Sequence, residues 1–167
     1  MSPSAAYAPA PSLAERWVAP KESPIDRIAA KLRSDGSACF RVFGASMFPW
    51  IRTGDLVFVR RLDYEQARRG DVVVFERDAR LFVHRVIRVE RSGEHVIVTK
   101  GDALDRVDAP VTRAEFLGRV IRVHRDERHI DMESLGHLVL GRFLARVSRT
   151  SSLFYQPVRA LRHLLRG

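Results

Sequence analysis

The sequence predicts a mainly β protein: a compact antiparallel domain with a short helix before it and amphipathic helices after it. Three observations carry that expectation. Between Phe40 and Met132 the chain breaks into short segments rich in Val, Ile and Phe, separated by Gly, Asp or charged turns. Apolar residues recur at helical spacing only before and after that stretch. A length of 167 residues suits one domain with short extensions, enough to bury a sizeable core.

The elements follow in order. Residues 1–22 are rich in Ala, Pro and Ser and read as a mobile tail, without the charged start, apolar middle and cleavage site of a secretory signal. Ser23-Pro24 reads as an N-cap and first-turn proline, and Ile25, Ile28, Ala29 and Leu32 then fall at helical spacing until Asp35-Gly36, so a short helix occupies residues 23–36. Residues 37–133 hold the β domain. Its expected strands are Phe40 to Phe43, Leu56 to Arg60, Val72 to Glu76, Leu81 to Val89, His95 to Thr99, Gly118 to Arg125 and Arg128 to Met132. Residues 134–167 form a basic extension with two helical stripes: Leu135, Leu138, Val139 and Leu144, then Phe154, Val158, Leu161 and Leu165.

Charge and cysteine content limit the function classes. The net charge is +9, and its excess is C-terminal, where Ser134 to Gly167 carries six arginines and no acid. Basic ends attract nucleic acid, anionic lipid or acidic partners. Here the arginines accompany a Leu, Phe and Val stripe and no base-reading motif is present, so an anionic membrane surface is the expected partner and nucleic acid is not. The competing expectation packs the stripes on the domain and leaves the arginines solvated. No run approaches the roughly 18–20 apolar residues of a spanning helix, which predicts a cytoplasmic or peripheral, membrane-surface location. The single cysteine, Cys39, excludes an internal disulfide framework and is expected to face the core. No Walker loop or paired-histidine helix occurs, so no metal or other cofactor is expected.

Three segments carry candidate chemistry. Gly44-Ala45-Ser46-Met47-Phe48-Pro49, followed by Gly54-Asp55, presents Ser46 on a tight turn. A serine hydroxyl attacks a carbonyl only when a base takes its proton and donors hold the oxyanion. The second segment, Leu81 to Ile87, is a strand whose period-two alternation puts Phe82, His84 and Val86 on one face, making His84 the candidate base. The third, Val98 to Asp108, supplies carboxylates to orient an imidazole, with Asp102 and Asp108 ahead of Asp105.

The ordered set Gly44-x-Ser46-Met47-x-Pro49, Gly54-Asp55, Gly70-Asp71-Val72-Val73, His84-Arg85-Val86, Lys100-Gly101-Asp102 with Asp108, and Leu117-Gly118-Arg119-Val120 resembles the type I signal peptidases over about Phe40 to Val123. Bacterial members use a Ser-Lys dyad; the archaeal and endoplasmic-reticulum branch has histidine in the lysine's place, and His84 matches that branch. The resemblance implies a compact antiparallel β fold shared with self-cleaving repressor peptidases. It also implies Ser46 as nucleophile, His84 as general base, Asp102 or Asp108 as supporting acid, and a precursor polypeptide bound extended along a strand edge. Cleavage would follow small residues in an Ala-x-Ala-like pattern, with Phe43, Phe82 and Val83 as pocket walls. Where many members carry a serine that helps the oxyanion, this chain has Gly44, leaving the backbone N–H groups of Ser46 and Gly44.

Typical members carry a spanning anchor. This sequence offers instead the aromatic run Phe48-Pro49-Trp50 beside Ser46 and the C-terminal arginines as means of reaching a membrane; Met47 and Trp50 would alternatively fill the core. Lys100, one of three lysines, is the alternative base, although a lysine must be brought down from about 10.4 whereas histidine starts near 6.5. Two further readings stand beside the enzyme. A self-cleaving repressor predicts a helix-turn-helix and an Ala-Gly or Cys-Gly bond, and neither dipeptide occurs. An inactive binding module on the same fold would retain the motif without turnover.

Overall fold

The computed structural model describes residues 23–91 and 95–147. The Ala/Pro-rich tail and the second C-terminal helical stripe lie outside the described residues. The element order is α1 (Pro24–Asp35), β1 (Ser37–Arg41), β2 (Leu56–Arg60), a 3-10 turn (Tyr64–Gln66), β3 (Val72–Arg77), β4 (Arg80–Glu90), β5 (Val96–Lys100), β6 (Phe116–Arg125), β7 (Arg128–Asp131) and α2 (Leu135–Val147).

One antiparallel sheet runs β1-β2-β6-β3-β4-β5, and β7 pairs with β6. The ends of β6 are shared: Phe116 to Arg119 pair with β3, Arg122 to Arg125 with β7. Sheet alternation sorts the apolar residues into two cores. Val72 and Val74 join Val57, Val59, Val120, Val123 and Met47 on one face. Val73 and Phe75 join Val86, Ile97, Val111, Phe116 and Tyr64 on the other.

Helix α1 starts as the sequence predicts. Ser23 and Asp26 form a reciprocal capping box, Pro24 opens the first turn, and Gly36 ends the helix at φ +73°. Its Ala29 and Leu32 are fully buried in the first core.

Three expectations change. Strand β1 begins at Ser37 and ends at Arg41, because Ser37 already pairs with Arg60, while Val42 bonds on to Asp55 and Gly54 just before β2 and Phe43 turns toward the serine turn. Cys39 is exposed, since β1 alternation turns Ala38 inward and Cys39 outward. Helix α2 docks through Gly141 and Ala145, which bring its backbone close to Gly70 and to Ile87 and Val98. Val139, expected in the apolar stripe, is 64% exposed.

Candidate active site

The serine turn is built by repeated local chemistry. In both Arg52-Thr53-Gly54-Asp55 and Arg68-Arg69-Gly70-Asp71, the Asp N–H donates to the carbonyl of the Arg three residues earlier. In each, the Asp carboxylate accepts that Arg's own N–H, at 2.8 and 2.9 Å. The glycine stands at φ +94° in the first and +97° in the second, the third position of a type II turn, which L side chains rarely adopt. Arg125, from β6, donates Nε and Nη2 to Asp55 at 2.9 and 2.6 Å, and Nη2 also to the Trp50 carbonyl.

The two aspartates then differ. Burial opposes ionisation of Asp55, but Arg125 and the Arg52 N–H outweigh it and hold its pKa below the usual carboxylate range. Burial dominates at Asp71 and pushes its pKa up despite the Arg68 N–H and Arg119.

Ser46 is half-buried on that turn. Its carbonyl accepts the Ala103 N–H at 2.8 Å, which ties the serine turn to the loop after β5. Met47 points into the core, while Trp50 is 38% exposed. Of the two backbone donors expected for an oxyanion, Gly44 is committed elsewhere. Its N–H donates to Thr53 Oγ1 at 3.1 Å, and Thr53 Oγ1 donates back to the Gly44 carbonyl at 2.7 Å. Among the described residues no acceptor takes the Ser46 N–H, so of the two expected donors it is the one left available.

His84 is buried on β4, with Phe75 and Phe82 edge-on at 6.0 and 5.7 Å between ring centroids. Its Nδ1 lies 2.7 Å from Asp108 Oδ2. Thr99 Oγ1 donates to the same oxygen at 2.7 Å, and the Asp108 N–H donates to the Thr99 carbonyl at 2.9 Å. Thr99 is thus a member of the constellation that sequence reasoning passed over. Its signal was alternation: Thr99 pairs with Val86, which shares a face with His84.

Asp102, the other candidate orienter, is corrected by its partner. It receives Arg85 Nε and Nη2 at 2.8 and 2.7 Å, and Arg85 Nη1 donates to the Gly70 carbonyl at 3.0 Å. Arg85 occupies the strand face opposite His84, so its carboxylate partner does not reach the imidazole. Lys100 pairs with Arg85 in register and shares that opposite face. Burial lowers the Lys100 pKa, while Asp102 and Asp105 oppose the shift.

A groove of about 540 Å³ opens beside these groups. Ser46, His84, Phe43, Phe82 and Val83 all line it, and Lys100, Asp102 and Asp108 do not. Strand β4 forms one wall. Arg80 to His84 pair with β3 on one side only, because β5 joins β4 from Arg85 onward. That half of β4 therefore offers an open edge, with Leu81 and Val83 toward the first core and Phe82 and His84 toward the second. Phe43 stands at the mouth, 82% exposed. Among the described residues no group of three or more His, Cys, Asp or Glu converges to hold a metal ion, and no helix is long and apolar enough to cross a membrane.

A mainly antiparallel sheet with a serine turn, a His–Asp contact and an open strand edge defines a β peptidase-type fold. The sequence profile of the family described as Peptidase S24-like matches residues 8–121, and the chain belongs to that family. Membership supports a serine peptidase or a self-cleaving repressor fold. No curated protein matches the chain.

Proposed function

We propose that this chain is a serine endopeptidase of signal peptidase type, cleaving an extended precursor polypeptide after small residues through Ser46, His84 and Asp108. The observation that carries the reading is the 2.7 Å contact of Asp108 with His84 Nδ1, on a histidine that lines the same groove as Ser46.

In this mechanism, the substrate pairs with the open edge of β4 at Arg80 to His84. Alternate side chains of an added strand fall on one side. Two residues spaced by one therefore enter the apolar region of Met47, Ile51, Leu81 and Val83, while the residue between them points away. Ser46 Oγ attacks the scissile carbonyl as its proton passes to His84 Nε2. Asp108 accepts a hydrogen bond from Nδ1–H and so stabilises the imidazolium, and the Ser46 N–H faces the developing oxyanion. Collapse breaks the C–N bond, the leaving amine takes the proton from His84, and water repeats the sequence to release the acyl group.

Support for histidine over lysine as base lies in strand geometry: Lys100 is on the face of β5 that carries the Arg85–Asp102 pair. The test is cleavage of an Ala-x-Ala precursor peptide by wild type, Ser46→Ala, His84→Ala and Lys100→Ala. Loss in the first two variants with partial retention in the third is expected; loss in Lys100→Ala with retention in His84→Ala would remove the Ser-His reading.

A second reading, self-processing, has one observation in its favour. Pro24 and Ile25, at the start of α1, line the same groove as Ser46 and His84. Intact mass of the incubated chain separates the two, because self-processing shortens wild type but not Ser46→Ala.

A further inference from the structure

On the face of β4 opposite His84, six arginines surround one depression of about 470 Å³: Arg68, Arg69, Arg88, Arg91, Arg142 and Arg146. They come from three places, the turn before β3, the outer end of β4 and helix α2, so folding gathers them. Like charges this close repel unless counter-ions or a ligand neutralise them. The chain supplies little neutralisation. Among the described residues only Arg88 has a carboxylate ion pair, with Glu90 at 2.9 Å, and both partners are half exposed. Arg69 donates Nη2 to the Ala145 carbonyl at 2.9 Å, and its buried Nε meets no acceptor among the described residues. Asp71, two residues after Arg69, accepts the Arg68 N–H and lies 3.7 Å from Arg119, and its charge also acts on Arg68 and Arg142, offsetting part of the cluster.

The chemistry beside the depression selects among polyanions. Helix α2 turns Gly141 and Ala145 toward the sheet. Its outward face therefore shows Val139, Arg142, Phe143 and Arg146, at spacings of three and four. Val139 and Phe143 are 64% and 61% exposed. Apolar side chains interleaved with arginines on one outward helix face match a bilayer interface, where the apolar groups enter the acyl boundary and the guanidinium groups meet headgroup phosphates.

We propose that this arginine depression and the outward face of α2 form a docking site for an anionic phospholipid surface, the depression taking a headgroup phosphate. The site does not depend on the peptidase reading, because it lies across the sheet from His84 and its test reads binding alone.

The experiment is flotation of the full chain with vesicles of phosphatidylcholine, with and without about one third phosphatidylglycerol. The test variant is Arg88→Gln/Arg142→Gln/Arg146→Gln. The control, Arg27→Gln/Arg122→Gln/Arg128→Gln, removes the same charge from elsewhere on the surface. Binding to anionic vesicles only, weakened by salt, is expected. The test variant should lose about 100-fold in partitioning, a factor of about five per charge, and the control about tenfold less than that. Phe143→Ser should weaken binding further without altering net charge, and Arg88→Gln, at an exposed site, provides a variant that keeps the fold if the triple does not.

Equal loss in test and control variants would overturn the site in favour of bulk charge. Absence of vesicle binding at low salt would overturn it as well. Saturation by inorganic phosphate without vesicle binding would mark a free-phosphate site and overturn docking, and tighter binding to duplex DNA than to vesicles would assign the surface to nucleic acid.

Discussion

Replacing Asp108 by asparagine removes one charge from the candidate site while keeping the side chain's volume. The carboxylate oxygen it alters lies 2.7 Å from His84 Nδ1 and 2.7 Å from Thr99 Oγ1. A hydrogen bond to a charged group contributes about 1.5–3 kcal/mol, and about 1.36 kcal/mol is tenfold in rate. Lost stabilisation of the imidazolium alone therefore lowers kcat by about 10- to 150-fold. Orientation adds to this. An asparagine that turns its amide nitrogen toward His84 forces the ring proton onto Nε2, where it cannot accept from Ser46, and the combined loss approaches about 10³- to 10⁴-fold. KM should hardly change, because Asp108 does not line the groove. The assay is steady-state cleavage of a quenched precursor peptide, with thermal unfolding measured on the same samples. Asp102→Asn supplies the contrast: it leaves the buried Arg85 without its carboxylate and should cost about 3–5 kcal/mol of stability, with kcat retained in the folded fraction. A folded Asp108→Asn that keeps kcat within about twofold of wild type would refute the orienting role.

Gly101→Ala places a Cβ 2.7 Å from the Ser46 carbonyl; the serine turn must shift, and kcat should fall by about 10- to 100-fold with a normal far-ultraviolet spectrum. Leu32→Ala opens a cavity beneath α1 in the first core, and urea unfolding should show a loss of about 2–5 kcal/mol. Glu115 is held at about 2 by the Arg77 hydrogen bond, with Thr112 assisting and burial opposing. Its folded pKa is below the unfolded one, so the stabilisation is present above about pH 4.5 and disappears as pH falls toward 2. Glu115→Gln should therefore lose about 1–2 kcal/mol at pH 7, a figure discounted for partial exposure, and almost nothing at the acid end, as read from denaturant midpoints across pH.

Alternation and turn residues made the strands legible, since Gly, Asp or charged turns separate them. The cap at Ser23 was legible for the same reason: a capping box is a contact between residues three apart. Partners distant in sequence were harder to read. Nothing in Lys100-Gly101-Asp102 says that Asp102 belongs to Arg85, because that pair depends on which face of β4 meets the loop after β5. Arg85 follows His84 directly, so a one-residue step separates the carboxylate that meets the imidazole from the one that meets the guanidinium. Gly44 looked like an oxyanion donor from its place in the turn, and only the fold brings Thr53 onto its N–H. The exposed side of α2 was missed because a stripe identifies apolar residues and not which of them packs, and Gly141 with Ala145 permits closer approach than Val139.

The most direct test of the central claim is intact-mass analysis after exposure to a serine-directed covalent probe, comparing wild type, Ser46→Ala and His84→Ala. One adduct is expected on wild type, mapped to Ser46, and none on either variant. Folded wild type that takes no adduct while lipid is present, or a His84→Ala chain that is labelled as fast as wild type, would contradict it.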